Sequence, residues 1–464
     1  MDIAAEGLRM ATDPPKYFGW SNVTANEMPR ADMEAMQLSV LQQRFAALKD
    51  RLPVLKATAE EQGADKISSI EDGAHLLFPH TVYKSYPVSL LERNRFDQMT
   101  KWLSRLTTID LSGADVAGCE GIDAWLAALE DSTGLSVTHT SGTSGTMSFL
   151  PRTSDGYRII SDVFGMASRE FHNLSNSDNA PWHTFYLGFK GGRSHAGRAG
   201  RWAYNNFAHS DEYFYPLYHV DMSSDVMWMA ARVRQAQARG ELANLEISPQ
   251  MKARQAEFEA VQKDTAKALE RTFEQLIKLR DERVYIGGMS GALTDMAQKG
   301  LDQGMRNIFS GNCILQCGGG KKGGVLADDW QQVCKDFTGA KRIGQYYGMT
   351  EVTLTSPTCA AGHYHIPPWV IAYVLDPDTG KQSPRQGAQT GRAAFFDLVP
   401  DSFWGGFVSG DEITIDWESC ACGQTTPHAH PNIERLSEKR GGDDKITCAA
   451  AEDAHAAAIE FMVQ

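Results

Sequence analysis

The sequence predicts an α/β fold of layered sheets flanked by helices, followed by a smaller β subdomain. Val284-Tyr285-Ile286-Gly287-Gly288 and Cys313-Ile314-Leu315-Gln316-Cys317 before Gly318-Gly319-Gly320 each read as a short apolar strand entering a glycine turn. Amphipathic segments alternate with them, and strand, turn and helix in alternation is the pattern of α/β layers. Beyond Trp369 the composition shifts to short strands and turns. With 464 residues the chain can form one large body and a satellite.

The first stretch is expected to be helical. Between 26 and 55, Met33, Met36, Leu38, Leu41, Phe45 and Leu48 recur at helical spacing, and Phe96, Met99, Trp102, Leu103 and Leu106 form a second such face. Ile122, Trp125, Leu126 and Leu129 mark a third, short helix. Residues 182–189 and 213–220 are aromatic and β-branched, which suits strands of a buried sheet, with a Gly- and Arg-rich loop at 191–201 between them. A long amphipathic helix is expected at 251–280; it reads as a surface helix, with a coiled-coil partner as the alternative. The expected division is 1–110 helical, 111–368 α/β core, 369–435 β subdomain and 436–464 a hinge remnant with a short Ala-rich helix.

There are 45 Lys plus Arg against 58 Asp plus Glu, a formal net charge of -13. That balance disfavours nucleic acid and anionic membrane as partners, because both are captured by clustered cations. No window approaches the ~20 apolar residues that span a bilayer, and Met1-Asp2-Ile3-Ala4-Ala5-Glu6 lacks the basic start of a secretory signal. The expected location is the cytoplasm. Eight cysteines are too sparse for a disulfide scaffold, and Cys420-Ala421-Cys422 is the one close pair.

Three segments carry chemistry. In Thr140-Ser141-Gly142-Thr143-Ser144-Gly145-Thr146 hydroxyls alternate with glycines, so backbone N–H groups and side-chain hydroxyls can turn toward an anion. No Gly-Lys-Ser/Thr follows, so this is not a Walker A loop; a Ser/Gly linker is the plain alternative. Tyr346-Tyr347-Gly348-Met349-Thr350-Glu351 offers a ring for a base, a hydroxyl for a phosphate and a carboxylate for Mg²⁺. In Phe407-Val408-Ser409-Gly410-Asp411 the carboxylate can accept from ribose hydroxyls, or serve only as a turn aspartate.

In this order the three motifs resemble those of the adenylate-forming superfamily, which includes acyl-CoA synthetases, peptide-synthetase adenylation domains and firefly-type luciferases. Residues 140–151, Gly318-Gly319-Gly320-Lys321-Lys322, His365-Ile366-Pro367-Pro368-Trp369 and Cys420-Ala421-Cys422-Gly423 resemble its acyl-protein synthetase and phenylacetate-CoA ligase branch. The resemblance implies ATP and Mg²⁺ as cofactors, with residues 140–146, Gly318 and Gly319 on the phosphates and Tyr347 and Gly348 at adenine. Thr350 would meet the α-phosphate, Glu351 would hold Mg²⁺ and Asp411 would bind ribose. The implied reaction is attack of a substrate carboxylate on the α-phosphorus, with release of pyrophosphate.

Two departures shape the expectation. The cation that closes the family's phosphate loop is replaced at best by Arg152, with Lys321 or Lys322 able to compensate. Arg440 precedes Gly441-Gly442-Asp443-Asp444 one residue too early for the family hinge, and the chain ends twenty residues after Asp444, so the mobile lid domain is expected to be largely absent. The acyl group would then pass to an acceptor such as Cys448, a small amine or a hydroxyl, with coenzyme A as an alternative. Phe185, Phe189, Trp202, Tyr204, Phe207 and Tyr213 would suit an aryl acid, with a fatty acid or plain core packing as alternatives. A different reading is an inactive nucleotide-binding partner protein.

Cys359, His365, Cys420 and Cys422 are expected to hold a structural Zn²⁺, three thiolates and one imidazole closing a tetrahedron. The set resembles metal-bearing members of the phenylacetate-CoA ligase branch. His363 is the rival ligand.

Overall fold

The computed structural model describes residues 2–79, 81–140, 142, 146–175, 177–241, 255–309, 311–318 and 326–436, without the side chains of 255–266. Its first part is helical because each segment combines a start signal with an apolar face. Asp2 caps α1 (Ile3–Thr12) by accepting from the Ala4 and Ala5 amides, and Asp13 and Ser21 cap the short α2 (Pro14–Tyr17) and α3 (Asn22–Asn26). In α4 (Arg30–Leu48) Met33, Met36, Val40, Leu41, Phe45 and Leu48 fall on the buried side. Proline opens α5 (Pro53–Glu61), where its missing N–H costs nothing. The chain then forms β1 (Phe78–Pro79), α6 (Ser89–Glu92), α7 (Phe96–Leu103) and α8 (Ile122–Thr133), the last ended by Gly134 in the left-handed region.

An antiparallel hairpin, β2 (Leu135–His139) and β3 (Phe149–Thr153), leads into α9 (Ser154–Phe171). The α/β layer follows: β4 (His183–Gly192), α10 (His195–Ala203), β5 (Phe214–Met222), α11 (Ser224–Arg239), α12 (Gln255–Lys278), β6 (Val284–Met289), α13 (Ser290–Asp302), β7 (Cys313–Gly318), α14 (Trp330–Thr338) and β8 (Ile343–Gly344). The five strands are parallel, in the order β5-β4-β6-β7-β8. Phe273 and Leu276 of α12, Leu293 and Met296 of α13 and Phe337 of α14 cover one face, packing on Phe185, Ile286 and Leu315. Parallel strands need such helical cover.

The remainder is antiparallel. A small hairpin pairs β9 (Tyr346–Met349) with β10 (Val352–Pro357). A seven-stranded sheet contains β11 (Tyr364–His365), β12 (Val370–Leu375), β13 (Ala388–Asp397), β14 (Gly406–Asp416), β15 (His428–Ala429) and β16 (Glu434–Arg435), together with β1. Its main path is β11-β15-β14-β13-β12, with β1 parallel and β16 antiparallel to β14. Met36, Leu41 and Phe45 of α4 share one apolar core with Tyr373, Phe395, Trp404 and Ile415 of this region. Among the described residues no helix is long and apolar enough to cross a membrane.

Candidate active site

The β2–β3 hairpin carries the first motif. His139 pairs with Phe149, so residues 140–148 form the connection, and both ends are tied. The Thr140 amide donates to the Ser148 carbonyl (3.0 Å), and the Ser148 amide donates to Thr140 Oγ1 (3.0 Å). Gly142 has φ +66°, and a Cβ there would lie 2.9 Å from Met147 Cγ, so only glycine fits. Beneath the loop His139 is fully buried, with Nδ1 3.0 Å from the Thr140 carbonyl and Nε2 2.9 Å from Ser224 Oγ. Nδ1 must donate to the carbonyl, which leaves Nε2 to accept. Burial pushes the ring's pKa down to about 4, so it is neutral at neutral pH. Thr146 is half-buried; Ser141, Thr143, Ser144 and Gly145 lie outside the described residues.

The β9–β10 hairpin carries the second motif. Met349 faces Val352, which places Thr350 and Glu351 at the tip. A Cβ on Gly348 would come within 2.3 Å of the Leu354 carbonyl, so the close strand approach requires glycine. The tip is held from below by a buried ion pair. Arg152 of β3 is 2% exposed and Asp397 of β13 is 0% exposed, with Nη2 3.6 Å from Oδ2. Arg152 also donates to the Thr350 carbonyl (3.3 Å) and to Thr353 Oγ1 (3.4 Å). Asp397 accepts from the Thr353 amide (2.7 Å), its hydroxyl (2.8 Å) and the Val399 amide (3.1 Å). The guanidinium expected to serve the phosphate loop is therefore engaged in fixing the Thr350-Glu351 turn. Sequence alone could not pair Arg152 with Asp397, because no periodicity links positions so far apart.

The third motif arrives on β14. Asp411 faces Arg435 of β16, with Oδ1 3.7 Å from Nε. Tyr347 is buried, its ring 5.9 Å from Tyr364 and 6.3 Å from Phe395. Its hydroxyl has no hydrogen-bond partner among the described residues. Burial first and the Asp411 charge second push that hydroxyl's pKa well up. Glu351 is raised too, by burial foremost and by Asp411, against Arg435 and Arg152. No ion pair joins Glu351 to a cation among the described residues. A hydroxyl without a partner and a carboxylate without an ion pair, among the described residues, thus stand near Asp411, where a nucleotide and a divalent cation could meet them.

Gly318 ends β7 with open space where a side chain would project, and its carbonyl accepts from Ser290 Oγ (3.2 Å). Gly319, Lys321, Lys322, Arg440 and Cys448 lie outside the described residues. Of the aromatic set, Phe185 and Phe207 are core residues at 0% exposure, and Phe207 stacks on Tyr285 at 4.4 Å. Phe189 packs against Tyr218, and Tyr213 against His183. Trp202 and Tyr204 differ: with Tyr157, Arg198 and Arg201 they line a cavity of about 520 Å³ beside α9.

The Cys and His residues converge at the β11–β15 edge. The donor atoms of Cys359, His365, Cys420 and Cys422 all lie within 4.8 Å of one another. Cys359 and Cys420 Sγ are 3.9 Å apart, close to the roughly 3.7 Å expected for two sulfurs at ~2.3 Å from a tetrahedral ion. His365 Nε2 is 3.2 Å from Cys422 Sγ, and Nδ1 is 3.2 Å from the Thr426 carbonyl, the outer hydrogen bond that orients a ligating imidazole. Two turns present the thiols: the Cys359 amide donates to His363 O and the Cys420 amide to Gln424 O. Burial, with Cys420 and Cys359 adding, pushes the Cys422 thiol up to about 12; a coordinated ion would reverse that. The donor set and spacing fit Zn²⁺. His363 stands beside the set, Nδ1 3.4 Å from Cys420 Sγ.

No family model matches the chain, and no curated protein matches it. The layered architecture is shared with a solved CoA ligase. An open conformation of 2-hydroxyisobutyryl-CoA ligase, in complex with 2-HIB-AMP and CoA, superposes with a TM-score of 0.51 at 12% identity, over 89% of this chain and 76% of that one. The same ligase in its thioesterification state gives 0.51 at 13% identity, over 89% and 70%. At such identity the likeness is one of fold.

Proposed function

We propose that this protein is an adenylate-forming ligase: it activates a carboxylic acid with ATP, forming an acyl-adenylate and pyrophosphate. The observation that carries the reading is the convergence of Tyr347, the Thr350-Glu351 turn and Asp411 within an adenylate-forming fold. A carboxylate oxygen attacks the α-phosphorus, the acyl–O–P bond forms, and the bond to the pyrophosphate oxygen breaks. Tyr347 and Gly348 border adenine, Asp411 accepts from ribose, Thr350 bonds the α-phosphate, and residues 140–146 with Gly318 and Gly319 cradle the outgoing phosphates. Glu351 would hold Mg²⁺, which when bound supplies the charge that neutralises those phosphates. Lys321 and Lys322 are proposed to complete the anion site, and Arg440 to stand at the ribose.

An aryl acid is the preferred substrate class. The cavity beside α9 is of small-molecule size, and Tyr157, Trp202 and Tyr204 give it flat aromatic walls. For the acceptor, the solved ligase holds CoA, whereas Cys448, an amine or a hydroxyl remains the reading from the sequence. The cytoplasm, the acyl-protein synthetase or phenylacetate-CoA ligase branch, and a structural Zn²⁺ on Cys359, His365, Cys420 and Cys422 belong to the same proposal.

ATP–pyrophosphate exchange across a panel of aryl and fatty acids tests it. Exchange with at least one acid is expected, strongest among aryl acids. Calorimetric ATP binding with no exchange for any acid would instead assign an inactive nucleotide-binding protein.

A further inference from the structure

Beyond the Cys/His set lies a second group of imidazoles that the proposed function does not use. His363, His428 and His430 each place a ring nitrogen within 4.8 Å of those of the other two. Strand register explains the grouping. His365 faces His428 across β11 and β15, and alternation puts His363 and His430 on the same side, two residues further along each strand. The rings lie against one another, His363 to His428 at 4.7 Å and His363 to His430 at 4.9 Å between centroids. Asp416 of β14 pairs with His428 on the other flank.

Packing alone does not account for the cluster. His428 is 3% exposed, yet its Nδ1 is buried with no hydrogen-bond partner among the described residues, an arrangement that is costly unless a ligand meets it. His363 is oriented from behind: with Nδ1–H donated to Cys420 Sγ, Nε2 keeps the free lone pair. His363 and His430 are half-buried, so one side of the group is open to solvent.

We propose that His363, His428 and His430 form a second metal site, for a divalent first-row ion that favours imidazole, such as Zn²⁺ or Co²⁺. Three protein nitrogens leave a coordination position for water on the open side, unlike the four-donor Cys/His set. His363 belongs to both: it would ligate one ion and hydrogen-bond a thiolate of the other. Along β14, Asp416 lies five residues from Asp411, roughly 17 Å of strand, so the ion is remote from the nucleotide corner.

Cobalt distinguishes the two sets. The untagged full chain, stripped of metal, is titrated with Co²⁺ while absorbance and bound metal are followed. Two equivalents are expected: one brings a thiolate-to-cobalt charge-transfer band in the near ultraviolet, and the other adds only weak visible bands. His430→Ala should lose the equivalent without the thiolate band and keep the other. Saturation of the wild-type chain at one equivalent carrying the thiolate band would overturn the proposal, as would His430→Ala and His428→Gln each still binding both. Should a variant fail to fold, the wild-type titration decides by itself.

Discussion

The middle and the far end of β14 solve the problem of rigidity differently. At its middle, Asp411 faces Arg435 of the two-residue β16, and the neighbouring Thr350-Glu351 tip is supported by the Arg152–Asp397 pair, with the long β13 paired along β14. At its far end, Asp416 faces His428 where β11 and β15 are only two residues each. Ladders that short contribute few hydrogen bonds, and the Cys and His side chains crowd together there in compensation. The corner proposed to admit a nucleotide is thus braced from within the core, whereas the edge remote from it gathers the Cys and His side chains.

The strongest way to break this contrast is to remove the inner brace. Arg152→Met should cost about 3–5 kcal/mol in urea unfolding, because Asp397 is left charged and unpaired at 0% exposure. Metal content at the Cys/His edge should be unchanged, and adding Asp397→Asn should recover part of the loss.

Next comes His139 under the β2–β3 hairpin loop. Its folded pKa of about 4 lies below the ordinary 6.5, so the stability it contributes is present above pH 6.5 and is lost as pH falls toward 4. Between pH 7 and pH 5 the wild-type chain should lose about 2 kcal/mol more than His139→Gln, read from denaturant midpoints at each pH. Equal losses would remove this account.

Glu351→Gln keeps shape and withdraws a charge. Pyrophosphate exchange should fall about 100-fold, near 2.7 kcal/mol in the barrier, while the melting temperature stays within a degree or two. Exchange at the wild-type rate would take Glu351 out of the proposed chemistry. The smallest effect is expected for Thr140→Val, which deletes the acceptor for the Ser148 amide at one end of the loop: about 1 kcal/mol of stability, and a raised KM for ATP.

Much of the architecture was legible because it is periodic or punctuated. Expected strands at 182–189 and 213–220 emerge as His183–Gly192 and Phe214–Met222, and the helix expected at 251–280 is described over Gln255–Lys278. Gly142 and Gly348, both inside the singled-out motifs, stand where the structure leaves no room for a Cβ. What stayed hidden was coupling at a distance. Asp397 carries no motif, and Arg152 looked like a loop cation until its carboxylate partner was seen behind it. Arg435 had no signal either. His428-Ala429-His430 did: with His363-Tyr364-His365 it gives two His-x-His steps at strand period, a pattern meaningful only once the strands are known to pair. Phe185 and Phe207 misled in the opposite sense, being aromatic for the core and not for a pocket.

The parallel pairing of Phe78 with Phe407 has a consequence for how the chain is made. α4 turns Met36, Leu41 and Phe45 toward partners on β12 and β13, so the amino-terminal helices leave the ribosome with their apolar faces uncovered. β14, which helps to complete their core, is translated roughly 360 residues later, some 20–70 s at ordinary elongation rates. Holding the early helices apart from other chains until β14 appears is then a task for the cell's chaperones, and slow translation or truncation ahead of residue 406 should send the product toward aggregation.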